Sequence, residues 1–352
     1  MRPTLQTVAD AVGVSRSTVS NAYSRPDQLS ADLRDRILTA AAGLGYAGPD
    51  PTARSLRRRR AGAIGVLFTA KLSYAFTDPY AVQFLRGLAS SAEQGRTGLL
   101  LLPLSMDDEE AAVAPVNDAV VDGFCVYCLP DWHPALAALE ARGLPVVAGQ
   151  KRPGSQASFV GIDEAAATRA AGEHLVALGH RRLAVVGEYF TVAQSTGPVT
   201  IKSPGDVAYY TDRERLRGYQ EALAEGGVPW SSVATVNVAR NGRAEGAAAA
   251  AYLLDRAPRP TAIAALSDIL ALGVLDAVRA RGLRPGHDVS VVGFDDIPDA
   301  TTEGLTTVHQ PAAERGRRSG LLLLDPPTDP ADRSVVLPTT LVVRATSGPA
   351  PS

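Results

Sequence analysis

Several features are missing from this chain, and each absence removes a class of function. No apolar run is long enough to cross a membrane, and the N-terminal MRPTLQTVAD has no apolar h-region of a secretory signal. A cytoplasmic location and no membrane partner are expected. Only two cysteines occur, Cys125 and Cys128, in VDGFCVYCLPD. A metal site would need a second ligand pair, and the flanking residues read as a buried strand, so both are expected to be core thiols. The five histidines, His133, His174, His180, His287 and His309, are scattered, with no pair at metal spacing. There is neither a G-x-S-x-G elbow nor a GxxxxGK[ST] phosphate loop. Catalysis, a metal and a cofactor are therefore not expected.

What is present belongs to a globular protein of more than one unit. The 352 residues are 45% hydrophobic, with 32 Gly and 25 Pro, and this length favours two or three units. Charge is unevenly spread. The first 61 residues hold ten Lys and Arg against five Asp and Glu, so under the overall charge of -2 the remainder carries -7. A basic head on an acidic body fits local phosphate contacts, and equally fits a solvated basic tail.

The head is organised around Thr4 to Ser24, TLQTVADAVGVSRSTVSNAYS. Leu5, Val8, Ala9 and Val12 share one helical face behind a Thr4 cap, and Gly13 supplies a turn. A second helix starts at Ser15. Val14, Val19 and Ala22 pack back while Arg16, Ser17, Ser20 and Asn21 point outward, which suits base edges and phosphates in a major groove. An ordinary polar helical hairpin is the competing reading. Ser30 caps a third helix, in which Leu33, Ile37, Leu38, Ala41 and Leu44 complete a three-helix core. Residues 48–60, GPDPTARSLRRRR, are too short and too poor in apolar residues to hold a helix alone. The four arginines Arg57 to Arg60 repel one another unless a polyanion neutralises them. This linker is expected to order on DNA, with Leu56 as an apolar wedge in the minor groove; a plain flexible basic linker is the alternative.

From residue 61 strands and helices alternate. AGAIGVLFT, GLLLLPLS, DGFCVYCL and LPVVAG read as strands separated by helices, and the pattern restarts at SFVGI with RLAVVG, VATVNV, TAIAAL and DVSVVGF. That pitch predicts two lobes with right-handed, parallel, doubly wound sheets. Ligands in such sheets bind outside the carboxyl ends of the strands. Thr69, Asp131, Arg215, Asp268 and Asp295 or Asp296 are the polar candidates there, since carboxylates and an arginine can clamp vicinal hydroxyls or a base edge. Asp268 is equally placed to cap the following helix, and Asp295 to order a crossing loop. Tyr74, Phe76, Trp132 and Trp230 either stack on a ligand or pack at edges.

TVADAVGVSRSTVSNA, the third helix ending in LGY, ARSL, HLVALGHRRLAVVG, ERLRGYQEAL, LSDILALGVLDAVRARGL, DVSVVGFDD, LTTVHQP and LVVRATSG together resemble the LacI/GalR family of bacterial transcription regulators, in an actinobacterial form. The resemblance covers nearly the whole chain. It implies an α/β chain with an N-terminal three-helix helix-turn-helix DNA-binding domain at 1–47, a hinge at 48–60, and a two-lobed periplasmic-binding-protein-like effector domain at 61–345. Lobe 1 would span about 61–152 and 297–325, and lobe 2 about 158–293 and 331–345. Crossings are then expected near 150–160, 292–310 and 325–333, with SVVLPTTLVV in the second lobe. The DNA-contacting set is Thr4, Ser15, Arg16, Ser17, Thr18 and Asn21, with Ala53, Leu56 and Arg57 in the hinge. The effector set is Thr69, Tyr74, Asp131, Trp132, Arg215, Asp268 and Asp295.

Implied partners are a palindromic double-stranded operator, a small effector such as a sugar or nucleoside, and a second copy of the chain, met through helices near Phe84 to Ser91 and Arg315 to Leu324. Asn21 stands where many relatives carry Arg, so the operator should differ. The segment 188–213, EYFTVAQSTGPVTIKSPGDVAYYTDR, is longer than usual in the family and is a candidate lid. A solute-binding protein of a transport system is the alternative, disfavoured by the basic head.

Overall fold

The computed structural model describes residues 3–48, 60–69, 71–152, 154–193 and 195–351. The chain separates into two compact units between Gly62 and Ala63. Ala53, Leu56 and Arg57 of the hinge lie outside the described residues.

In the first unit, α1 (Leu5–Val12), α2 (Arg16–Ser24) and α3 (Ala31–Gly43) each begin on a side-chain cap. Thr4 Oγ1 accepts from the Thr7 amide, Ser15 Oγ from Thr18 and Ser30 Oγ from Leu33, satisfying amides that no helical carbonyl reaches. Gly13 ends α1 at φ 72°, a left-handed conformation that an L side chain would strain. Val8, Ala9, Val19, Ala22, Ile37 and Ala41 are buried together, and Tyr23 meets Tyr46 edge to face at 6.1 Å. Ser20 is buried too, and does not point outward as the helical pattern suggested. Three residues before Tyr23, it shares the face on which that ring packs against the head core.

The second unit carries two sheets. The first contains β1 (Ala63–Phe68), β2 (Gly98–Pro103), β3 (Gly123–Cys128), β4 (Val146–Ala148), β5 (Ser158–Ile162) and β12 (Ser334–Leu337), in the order β12-β5-β4-β3-β1-β2 and parallel throughout. The second contains β6 (Leu183–Gly187), β7 (Gly197–Val199), β8 (Ala234–Asn237), β9 (Ala262–Ala265), β10 (Ser290–Asp295), β11 (Thr306–His309) and β13 (Thr340–Val342). Its order is β13-β11-β10-β9-β6-β8-β7, parallel except at the two edges. Both faces are covered. Along β1, Ile64, Val66 and Phe68 enter one apolar cluster while Leu67 enters another, as the two-residue period of a doubly buried strand requires.

Helices α4 (Tyr74–Thr77), α6 (Glu109–Asp118), α7 (Ala135–Arg142) and α12 (Pro298–Thr302) follow strands, and the longer helices pair with one another. α5 (Pro79–Gln94) packs on α13 (Ala312–Leu324), α8 (Glu164–Ala177) on α9 (Tyr210–Glu225), and α10 (Arg243–Leu254) on α11 (Asp268–Ala280). The first pair is close because Gly87 faces the Ala313 carbonyl and Gly316 the Phe84 carbonyl, where any Cβ would overlap backbone. Phe84, Leu88 and Ser91 are therefore buried within the chain. Val82 and Arg86 of α5 and Arg318 of α13 face outward.

Three strand assignments differ from expectation. SFVGI pairs in parallel with β4 and belongs to the first sheet, so the first crossing falls at Asp163. Residues 298–309 stay with the second sheet through β11, and the second crossing lies at Gln310 and Pro311. SVVLPTTLVV is split. Ser334–Leu337 covers the open edge of β5 while Thr340–Val342 runs antiparallel to β11, putting the third crossing at Pro338 and Thr339. Edge pairing satisfies backbone groups that a hydrophobic pattern alone does not assign.

The 188–213 segment is folded onto the second lobe. β7 runs antiparallel to β8, Thr235 Oγ1 donates to the Val199 carbonyl at 2.6 Å, Asn237 Nδ2 to Ser195 at 2.6 Å, and Trp230 Nε1 to Ile201 at 2.9 Å. It closes a sheet edge; among its described residues only those at the two ends reach the cleft described next.

Candidate functional site

On the head, α2 presents Arg16 and Ser17 to solvent and leaves Thr18 and Asn21 half-exposed. Ser15 Oγ lies 2.7 Å from Ser17 Oγ and 2.8 Å from Thr18 Oγ1, so the cap also ties the first turn together. Asn21 Nδ2 donates to Gln28 Oε1 at 3.4 Å, a long bond that a base edge could replace. Arg16 stands at the start of a helix whose amides and hydroxyls suit a phosphate backbone.

In the second unit, the carboxyl ends of both sheets face a cleft lined by both lobes, where ligands of such sheets bind. The first lobe contributes Tyr74, Asp78, Tyr80, Tyr127, Cys128 and Arg315; the second contributes Glu188, Tyr189, Tyr209, Asp212, Arg215 and Asn241, among others. Hydrogen bonds span the gap. Asn241 Nδ2 donates to Tyr74 Oη at 3.0 Å, Cys128 Sγ meets Tyr209 Oη at 2.9 Å, and Gln150 Nε2 reaches Thr211 Oγ1 at 3.4 Å. Where the chain crosses, Tyr80 Oη donates to Gln310 Oε1 at 3.0 Å, and Gln310 Nε2 donates to Asp295 Oδ1 at 2.5 Å.

Arg215 lies at the floor. Its Nε donates to Glu164 Oε2 at 2.8 Å, Nη1 donates to the Leu266 carbonyl at 2.6 Å, and the guanidinium stacks 3.7 Å from the Phe294 ring centre. Burial opposes its charge, but Glu164 and Asp295 more than offset that and hold it protonated. Burial pushes Glu188 up to about 8, with Asp212 adding repulsion, and pushes Asp212 up to about 6 against the pull of Arg215. Asp295 is raised well above the ordinary carboxylate range, by burial first and then by Asp268. Asp295 and its neighbour Asp296 take positive φ, 125° and 57°, a strained pair at the end of β10 beside the crossing.

The sequence-derived effector set divides. Tyr74, Arg215 and Asp295 line the cleft together. Asp268 does not. Its Oδ1 accepts from Thr307 Oγ1 at 2.6 Å and Oδ2 from the Ile297 amide at 2.9 Å, so the carboxylate ties β11 and the loop after β10 to α11, while its neighbour Ser267 faces the cavity. Thr69 donates to the Cys128 carbonyl at 3.3 Å and borders an adjoining recess with Lys71 and Arg240. Asp131 stands 3.8 Å from Arg213, off the cavity wall. Trp132 meets Tyr189 and Tyr209 edge-on at 6.4 and 6.5 Å, backing two rings of the wall. Trp230 is buried against Ile201, and Phe76 is exposed; neither lines the cleft. Cys125 is a core thiol, pushed up to about 12 by burial, but Cys128 lines the cleft.

Glu188, Asp212, Asn241 and Tyr80 were not expected. Glu188 directly follows RLAVVG, so the strand-end rule that selected Thr69 also points to it. Asn241 follows VATVNV by a short turn in the same way.

Residues 4–48 match the family model described as bacterial regulatory proteins, lacI family, and residues 173–347 match a periplasmic binding protein-like domain. An HTH-type transcriptional regulator of Mycolicibacterium smegmatis is 42% identical, over 99% of this chain and 97% of its own. Among solved structures, a transcriptional regulator CelR–cellobiose complex is 29% identical with TM-score 0.67, covering 98% of this chain and all of that one. The lac repressor dimer bound to operator and the anti-inducer ONPF is 26% identical with TM-score 0.75, covering 99% of this chain and 100% of that one.

Proposed function

Since the chain belongs to the lacI family of bacterial regulatory proteins, it is a DNA-binding transcription regulator, and we propose that it represses transcription under control of a small molecule held in the cleft. Similarity to a transcription regulator along 99% of the chain, head included, removes the solute-binding protein of a transport system as an alternative. The observation that carries the effector reading is the convergence of Arg215, Asp295 and Tyr74 on one cavity spanned by bonds between the lobes. A bound polyol or sugar would replace the Tyr74–Asn241 and Cys128–Tyr209 contacts with its own hydroxyls, which changes the free energy of lobe closure.

The head reads DNA through Arg16, Ser17 and Asn21, with Thr4, Ser15 and Thr18 beside the phosphates and the hinge residues Ala53, Leu56 and Arg57 completing the contact. We place the protein in the cytoplasm, on a palindromic operator, as a homodimer. Operator and effector are then linked ligands, each altering the affinity of the other by the same factor. A thermal-shift screen of sugars, polyols and nucleosides tests the cleft, because a ligand of the folded state raises stability by mass action. A stabilising compound that leaves operator affinity unchanged would contradict the reading.

A further inference from the structure

We propose that the cleft is built for a polyhydroxylated effector carrying no negative charge, and that phosphorylated or carboxylated counterparts are turned away by the charge of its lining; this rests on the cleft being the effector site. Five carboxylates line it, Asp78, Glu164, Glu188, Asp212 and Asp295, against the two guanidinium groups of Arg215 and Arg315. Both cations are held by the protein through Nε and Nη1. Arg215 is paired with Glu164 at 2.8 Å and with the Leu266 carbonyl, and Arg315 donates to Tyr80 Oη at 2.9 Å and to the Val160 carbonyl at 3.3 Å.

Among the described residues the other four carboxylates make no ion pair; they are held by neutral donors. Asp78 accepts from the Ala81 amide and Tyr127 Oη, Asp212 from the Tyr189 amide, and Asp295 from Gln310. Glu188 and Asp212 repel each other and burial disfavours the charge of both, so carboxyl groups outnumber cations in this wall and resist ionisation. An incoming phosphate or carboxylate would place negative charge beside carboxyl groups that already resist ionisation. An uncharged polyol has the opposite effect: each hydroxyl donates to a carboxylate and accepts from a tyrosine or amide of the wall. The adjoining recess does not reverse this. Its Lys71 and Arg240 are accompanied by Asp107, Asp118 and Glu188, and Arg240 is already paired with Glu245.

The full-length protein is to be tested by thermal shift, then calorimetry, against pentoses, hexoses, disaccharides and alditols, each beside its phosphate ester or uronate. The expected result is stabilisation by uncharged members alone, with every anionic counterpart of a hit at least about tenfold weaker. In Glu188→Gln/Asp212→Asn, which keeps shape and removes charge, that gap narrows; Glu188→Gln alone serves should the pair not fold. An anionic member that binds as well as its parent, a gap unchanged in the variants, or no stabilisation by any uncharged member would overturn the proposal. A hit still bound by Thr211→Trp, which fills the cleft, sits elsewhere and defeats the cleft as effector site, not the charge rule alone.

Discussion

Arg215 Nε lies 2.8 Å from Glu164 Oε2, a buried ion pair joining the second turn of α9 to the first residue of α8 at the floor of the cleft. The pair therefore serves two ends, holding two helices in place and shaping the ligand wall, and a single substitution confuses them.

Arg215→Ala leaves Glu164 buried without its partner and is expected to destabilise the second unit by about 3–5 kcal/mol. Adding Glu164→Gln removes the stranded charge and should recover at least about 1 kcal/mol by denaturant unfolding. The effector response should stay absent in both variants while the operator is still bound. Equal stability of the single and double variants would show that the pair is not coupled.

Asp268→Asn keeps the size of the side chain but turns one acceptor into a donor facing Thr307 or the Ile297 amide. A cost of about 1–3 kcal/mol is expected, with faster amide exchange at residues 296–297. Effector affinity at saturating folding conditions should change far less than in Arg215→Ala. A variant of normal stability that has lost the effector would instead make Asp268 a direct contact.

Glu188 gives the body a pH dependence of defined sign. Its folded value of about 8 stands above the ordinary 4.5, so folding is most favourable while the carboxyl is protonated in both states and loses stability as pH rises through this window. The loss is at most about 1.4 kcal/mol per pH unit, and Asp212 adds to it between about 4 and 6. In Glu188→Gln, chemical unfolding measured from pH 5 to pH 8 should give a flatter profile and a more stable protein at pH 8. An unchanged slope would remove Glu188 as its source.

How much of this could be read in the sequence differs by level. The three head helices, their caps at Thr4, Ser15 and Ser30, and the alternation of strands and helices follow from local chemistry, which neighbours in sequence decide. The sheet membership of SFVGI and SVVL does not, since each is an apolar strand that either lobe could accept and only pairing at an edge chooses between them. The cleft was legible where a polar residue follows a strand, as Asp295 does. The same rule erred by one residue at Ser267 and Asp268, because the first turn of α11 sends adjacent side chains to opposite sides. Arg315 and Tyr80 sit in helical turns far from any strand end, and only the packing of α5 on α13 brings them to the site.

Arg16 is exposed at the start of α2, free of the core that fixes Val19 and Ala22. Arg16→Ala should weaken specific operator binding by about 1–3 kcal/mol and relax preference at one base position. Binding to unrelated DNA at the same salt should fall much less. A uniform loss on all sequences, with a shallower salt slope, would reassign Arg16 to a phosphate.

The most direct test is a titration of operator binding by fluorescence anisotropy, with and without a saturating compound that the thermal-shift screen shows to bind the cleft. The effector should change operator affinity by at least about fivefold, as is usual for coupled sites, and the change should vanish in the cleft-filled Thr211→Trp protein, which still binds the operator. Identical operator affinity with the cleft occupied and empty would contradict regulation through the cleft.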